Sequence, residues 1–250
     1  MPARMRYLAW RVSGANRFFR CSLRLRGGPL LVMRPKPSSD YDTAYEIFVK
    51  RIYDLGPDRP KNVRRIVDLG GNVGYSCLYW CWLYPEAEVL TYEPHPVHCG
   101  ILERHMLRNR YSERVKLVRA AAGVRNGPCQ LSDASDASAV VHSGDPASLR
   151  PLMQVDSADV FEGIGPDRID ILKMDIEGAE YEIMSDPRFD EVMARTRCIL
   201  LEWHKRGPRH FGLDWCLGRL RTLGFEVEAG PSYCQEYGMV RGINIACGSS

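Results

Sequence analysis

No apolar run in this chain approaches the ~18 residues that crossing a bilayer as a helix requires; the densest, CLYWCWLY at 77–84, is far too short. The nine cysteines include no C-x-x-C pair, which excludes a zinc cluster of finger type and a disulfide framework and suits the reducing cytoplasm. Internal repeats and low-complexity tracts are absent, and with 45% apolar and 26% charged residues the chain is neither disordered nor fibrous. Acidic residues are missing altogether before Asp40, while nine Lys and Arg lie between Met1 and Lys36. The remainder, 37–250, carries 25 basic against 31 acidic residues, a balance of −6. The basic charge is thus an N-terminal arm suited to phosphate, an anionic surface or the chain's own acidic body.

What is present reads as one domain with a small appendage, the 250 residues dividing into 1–60 and 61–250. In FFRCSLRLRGGPLLVM, apolar and basic residues alternate up to Gly27, Gly28 and Pro29, which predicts a β-hairpin with one charged face. An edge hairpin of this kind is also a candidate homodimer element. Ser39 and Asp42 open a predicted helix over about 40–55. Beyond Pro57 and Pro60, strands at 64–70, 87–93, 115–121, 168–175 and 198–204 alternate with helices at 75–84, 97–110, 179–185 and 214–223, predicting a parallel sheet covered on both faces. FEVE at 225–228 and INIAC at 243–247 lack a helix between them and should form an antiparallel pair. The polar stretch 123–157 interrupts the rhythm and reads as a lid-like insertion, a plain surface excursion being the alternative.

The sharpest feature is VDLGGNVG at 67–74, a strand ending near Asp68 and turning through Gly70, Gly71, Asn72 and Gly74 into a helix. Glycines let the backbone turn tightly and approach a ligand, with the helix N-terminus favouring an anionic group. The next strand ends at Glu93, followed by Pro94, where a carboxylate can accept hydrogen bonds from both ribose hydroxyls. The D-x-G-x-x-x-G register departs from the G-x-G-x-x-G of dinucleotide sites, and an acid before the turn suits a cationic amine. S-adenosylmethionine fits this better than NAD does.

Four segments in order, VDLGGNVGYS, VLTYEPHP, ILKMDIEGAEYEIM and ILLEWH, resemble the FkbM-type methyltransferases of the class I fold, as does SSDYDTAYEIF before them. The resemblance implies an α/β Rossmann-like domain with a seven-stranded, mostly parallel sheet of order 3-2-1-4-5-7-6, strand 7 antiparallel, here preceded by the hairpin and helix. It implies methyl transfer from S-adenosylmethionine, usually to a hydroxyl of a small natural product or sugar. It also places Gly70, Asn72 and Gly74 at the amino-acid end of the donor, Asp68 near its amine, Glu93 with Pro94 on its ribose, and Ala121 and Ala122 beside adenine.

Ligands of open parallel sheets bind beyond the carboxyl ends of the strands, which selects Asp175, Glu177, Glu202 and His204. In one reading His204 or Asp175 is a general base, with Glu202 among the carboxylates that orient it. In another, Asp175, Glu177, Glu202 and His204 hold magnesium or calcium. Each residue has a plain structural alternative: Glu177 as a helix cap, Glu180 as a solvated helix residue, Lys173 as a partner of Asp175 or Glu202. His95, His98 and Cys99 are read as a helix start near the ligand rim in preference to a metal site. HKRGPRH at 204–210 would draw an anionic acceptor, or is only a wet loop. Nucleic acid is disfavoured as substrate, because KMDIEG replaces the Asn/Asp-Pro-Pro-Tyr loop of base amino-methylators. A cofactor-binding partner protein without activity remains the alternative from another class.

Overall fold

The computed structural model of the chain describes residues 20–56, 60–132, 151–205, 211–232 and 236–247. Its first elements are β1 (Cys21–Arg24) and β2 (Leu30–Met33), the expected hairpin, paired from Cys21↔Met33 to Arg24↔Leu30. α1 (Asp40–Tyr45) runs into a π-helical turn, Glu46–Lys50, and stops at Arg51 in the left-handed region. The helix predicted over 40–55 is therefore shorter. Ser39 supplies no side-chain cap, and Ile52, Tyr53 and Leu55 reach the core from beyond the helix.

β3 (Arg65–Leu69), α2 (Tyr75–Leu83), β4 (Glu88–Tyr92), α3 (Pro96–Asn109) and β5 (Val115–Val118) follow in alternation. β6 (Ala121–Gly123), β7 (Gly127–Ser132) and β8 (Leu152–Asp159) come next, then α4 (Val160–Ile164), β9 (Ile169–Met174), α5 (Glu180–Ser185), α6 (Arg188–Ala194) and β10 (Thr196–His204). α7 (Leu213–Thr222), β11 (Phe225–Ser232) and β12 (Tyr237–Asn244) complete the order. The main sheet runs β11-β12-β10-β9-β3-β4-β5; counting only its own strands along the chain, that is 3-2-1-4-5-7-6. Its other pairings are parallel, and β12 is antiparallel to both β10 and β11.

Residues alternate between the two sheet faces, as the two-residue strand period requires. Ile66, Ile171 and Leu200 join the core that holds the hairpin, α1, α2 and α3; Val67, Leu172 and Leu201 join the one under α4 to α7. The hairpin is part of that first core, contributing buried Leu31 and Met33. β9 is buried along its whole length, as a central parallel strand must be.

Three sequence expectations are corrected. The strand read over 115–121 ends at Val118, and Ala121 begins a second, three-stranded sheet of order β6-β8-β7. The flanks of the 123–157 insertion are thus strands, β7 and β8, paired from Gly127↔Ser157 to Ser132↔Leu152. Alternating exposure along β8 gives it the polar composition that reads as loop. The last strand lies in YGMVRGIN, Tyr237–Asn244, and ends three residues earlier than INIAC at 243–247 implied. The insertion's centre at 133–150, where a lid would sit, the loop at 206–210 and the arm at 1–19 lie outside the described residues.

Candidate active site

An open cleft lies at the carboxyl ends of β3, β4 and β9. Of the residues expected at a donor site, Gly70, Asn72, Glu93, Pro94, Ala121, Ala122 and Asp175 line it. Glu93 is its centre. Though only 5% exposed, its carboxylate accepts from the Asn72 backbone N–H at 2.8 Å and from that of His95 at 2.8 Å, tying the β3–α2 turn to the β4–α3 turn. Ala121, Ala122 and Leu131 add a small, apolar wall.

Two expected residues are elsewhere. Asp68 is fully buried below the turn, accepting from Ser76 Oγ at 2.6 Å and lying 3.2 Å from Lys173 Nζ. It faces α2, so an amine in the cleft does not meet it. Gly74 is also set back: a Cβ there would approach Leu102 to 2.8 Å, so its smallness serves the packing of α2 on α3. The turn's amides differ from the expectation as well. Gly70 and Gly71 donate to the Tyr92 carbonyl at 3.1 and 2.8 Å, and Asn72 to Glu93, so these N–H groups brace the turn across the sheet. Gly70, at φ 92°, is required because a side chain would run into the Asp175 carbonyl oxygen.

Lys173 holds this arrangement. It is buried opposite Asp68 in the β3–β9 register and donates to the Gly70 carbonyl at 2.6 Å. Its ammonium lies 3.5 Å from Asp175. Burial works against its charge, but Asp68, and after it Asp175, more than offset that and raise its pKa.

At the rim of the cleft, Asp175 and Glu177, which line it, and His204 each present one ligand-capable atom within 4.8 Å of the others. The turn between β9 and α5 that carries two of them is strained, with Glu177 at φ 57° and Gly178 at φ 109°. His204 lies 3.1 Å from Glu180 Oε1 through Nδ1 and 3.6 Å from Glu177 Oε2 through Nε2. Burial alone would lower the His204 pKa, yet the Glu180 hydrogen bond and charge, with Glu177 and Asp175 behind them, carry it up to about 10. His204 is therefore an imidazolium at neutral pH. Glu202 goes the other way for a carboxyl group: burial, then the nearby Asp175 charge, push it up to about 8.

Glu180, expected as a solvated helix residue, is fully buried. Its carboxylate accepts from the backbone N–H groups of Ile176 at 3.0 Å and Gly178 at 2.7 Å, so it caps its own turn, the part assigned to Glu177, while holding His204. Sequence reading also missed Arg34. Its Nη1 lies 3.0 Å from Nε2 of His98, a cleft residue whose Nδ1 lies 3.5 Å from Glu93. No motif links positions that far apart. His95, in turn, caps α3 through Nδ1, in keeping with the helix-start reading.

A seven-stranded, doubly wound sheet with an antiparallel strand next to its edge has the topology of a Rossmann-like class I methyltransferase fold. Residues 68–227 match the methyltransferase FkbM domain. The methyltransferase sdnD of Sordaria araneosa is 29% identical over 197 residues, covering 66% of this chain and 75% of that one. Methyltransferase 1 of Beauveria bassiana (strain ARSEF 2860) is 28% identical over 162 residues, 56% of this chain and 64% of its own. Among solved structures, precorrin-6y C5,15-methyltransferase from Geobacter metallireducens superposes with a TM-score of 0.45 at 14% identity, over 74% of this chain and 82% of that one. The chain belongs to the FkbM methyltransferase family and is an S-adenosylmethionine-dependent methyltransferase.

Proposed function

We propose that the protein methylates a hydroxyl of a small acceptor, a natural product or sugar, and that Asp175 takes the proton. The residues fit the donor: Glu93 keeps acceptor capacity for a vicinal diol, since each oxygen has accepted one backbone N–H, and the alanine wall leaves room for a flat base. S-adenosylmethionine, when bound, supplies an electrophilic methyl group on a sulfonium that leaves as a neutral thioether. The chain's own work is then alignment of the acceptor and removal of its proton. With Asp68 withdrawn beneath the turn, Asp175 and Glu177 are the cleft carboxylates beside Glu93, and Asp175, at the end of β9 next to the glycine turn, is the one we assign to the donor's amine and the acceptor's hydroxyl.

The observation that carries this reading is the position of Asp175 on the cleft, beside a His204 held between Glu180 and Glu177. An imidazolium His204 cannot serve as base at neutral pH, but its charge beside Asp175 and Glu177 stabilises an alkoxide forming there. Glu202, largely protonated at pH 7, adds a polar wall without a second full charge. The described cysteines form no disulfide with one another, which supports a reducing compartment such as the cytoplasm. No helix among the described residues is long and apolar enough to cross a membrane.

Asp175→Asn tests the assignment. Turnover with a hydroxylated acceptor should fall by about 10² to 10⁴, the usual share of a positioned base, while affinity for S-adenosylhomocysteine changes no more than about tenfold. Undiminished turnover refutes the role. A second reading is favoured by the spacing of Asp175, Glu177 and His204, which together could hold a divalent cation if His204 gives up its proton. Activity abolished by EDTA and restored by Mg²⁺, Mn²⁺ or Ca²⁺ would select it.

A further inference from the structure

Several arginines on the body of the protein are answered by carboxylates: Arg64 by Glu86, Arg119 by Glu103, Arg188 by Asp159 and Asp186, Arg197 by Asp170. Arg20, Arg104 and Arg108 are among those that are not. Among the described residues none of the three has a carboxylate at ion-pair distance, yet they converge with Arg34 on one cavity of about 570 Å³ between the hairpin and α3. No acidic side chain lines it. Arg34 is neutralised by Asp40 at 2.7 Å, so the lining keeps three uncompensated positive charges. Arg104 and Arg108 stand one helical turn apart, where like charges repel.

The cavity is pre-formed. Its walls are fastened by the Val32 N–H bonded to His105 Nε2 at 2.8 Å, and by Asn109, which accepts from the Leu30 N–H at 2.7 Å and donates to the Leu30 carbonyl at 2.9 Å. Buried Ile101 belongs to its lining, and Arg104 Nε is anchored on the Gly100 carbonyl at 3.1 Å. Among the described residues nothing lining the cavity supplies a counter-charge to these three.

We propose that this cavity, separate from the donor cleft, binds a phosphate-type anion, a phosphomonoester or diphosphate. Guanidinium forks match tetrahedral oxyanions in shape, and a dianion balances three charges where a single carboxylate cannot. The group could arrive on a soluble metabolite or on a lipid headgroup; the chemistry at the cavity is the same.

The test uses the full chain and the double variant Arg104→Gln/Arg108→Gln, with Arg125→Gln/Arg221→Gln, exposed arginines outside the cavity, as the control of equal charge loss. Pyrophosphate binding is measured by calorimetry at low ionic strength, and vesicle binding by co-sedimentation with phosphatidylcholine, with and without phosphatidic acid. Unchanged affinity for S-adenosylhomocysteine reports that the fold is intact. The expected result is pyrophosphate affinity weakened about tenfold or more in the cavity variant and hardly at all in the control, given the strength of charge-assisted contacts. Binding confined to phosphatidic acid vesicles, with the same dependence on Arg104 and Arg108, assigns the site to a headgroup. Binding in neither arm, or equal losses in both variants, overturns the proposal.

Discussion

The two ends of the site are built on opposite electrostatic principles. At the donor end, every charge among Asp68, Lys173 and Glu93 is matched locally: an ammonium between two carboxylates, or backbone N–H groups on both oxygens. At the acceptor end, Asp175, Glu177, Glu202 and His204 crowd together, and the crowding shows in a carboxyl group pushed up to about 8 and an imidazole pushed up to about 10. A settled pocket holds a donor of one shape; an unsettled one keeps protons within reach of neutral pH.

The largest break in this contrast is Lys173→Met. It leaves Asp68 buried and uncompensated, which should cost about 3–5 kcal/mol of folding stability. Chemical denaturation would measure it, and donor affinity should fall as well, since the Gly70 carbonyl loses its 2.6 Å donor. Adding Asp68→Asn should restore much of the stability. A Lys173→Met protein as stable as the parent would mean that the pair is not the keystone of the turn.

How far the sequence reveals these two ends follows from the same difference. Sheet order came through the family resemblance, while the residues beside the glycine turn were legible because backbone geometry restricts which residue types fit there: Gly70 under Asp175, Glu93 at a strand end. The role of Asp68 was not, because strand parity puts 66 and 68 on one face without saying which face lies under a helix, and its partner Lys173 is found only through the β3–β9 register. Glu180 was misread because a glutamate in the first helical turn ordinarily faces water. Here the turn folds back so that Ile176 and Gly178 point their N–H groups at it. The ends of the insertion were missed because β8 is half-exposed and its polar face dominates its composition.

A milder perturbation, pH, acts mainly on the acceptor end. His204 and Glu202 both hold protons in the folded state that the unfolded chain would have released, their folded pKa values being raised from 6.5 to about 10 and from 4.5 to about 8. For either group the stability it contributes is complete below its unfolded pKa and is lost as pH rises through the folded one. Folding stability at constant ionic strength should therefore decline from about pH 5 to pH 10, by a few kcal/mol in all, and the melting temperature with it. Glu202→Gln should flatten the decline up to about pH 8, and His204→Gln the decline from pH 6.5 to about 10. A pH-independent melting temperature would contradict the charge states assigned to the cluster.

The smallest effect expected is at the donor end, through Arg34. A guanidinium only donates, so Arg34 Nη1 on His98 Nε2 makes that nitrogen an acceptor and leaves the ring proton on Nδ1, the side that faces Glu93. The hairpin thereby orients Glu93, the carboxylate proposed for the donor's ribose, through a histidine, which makes Arg34 a positioning residue under that proposal. Arg34→Met combined with Asp40→Asn, which avoids stranding the buried Asp40 charge, should weaken S-adenosylhomocysteine binding about fivefold, the worth of roughly one hydrogen bond. The sharper readout is discrimination between that ligand and its 2′,3′-dideoxy analogue. If Arg34 acts on Glu93, the variant narrows the gap between the two ligands; if it only steadies the fold, both affinities fall together and the gap stays.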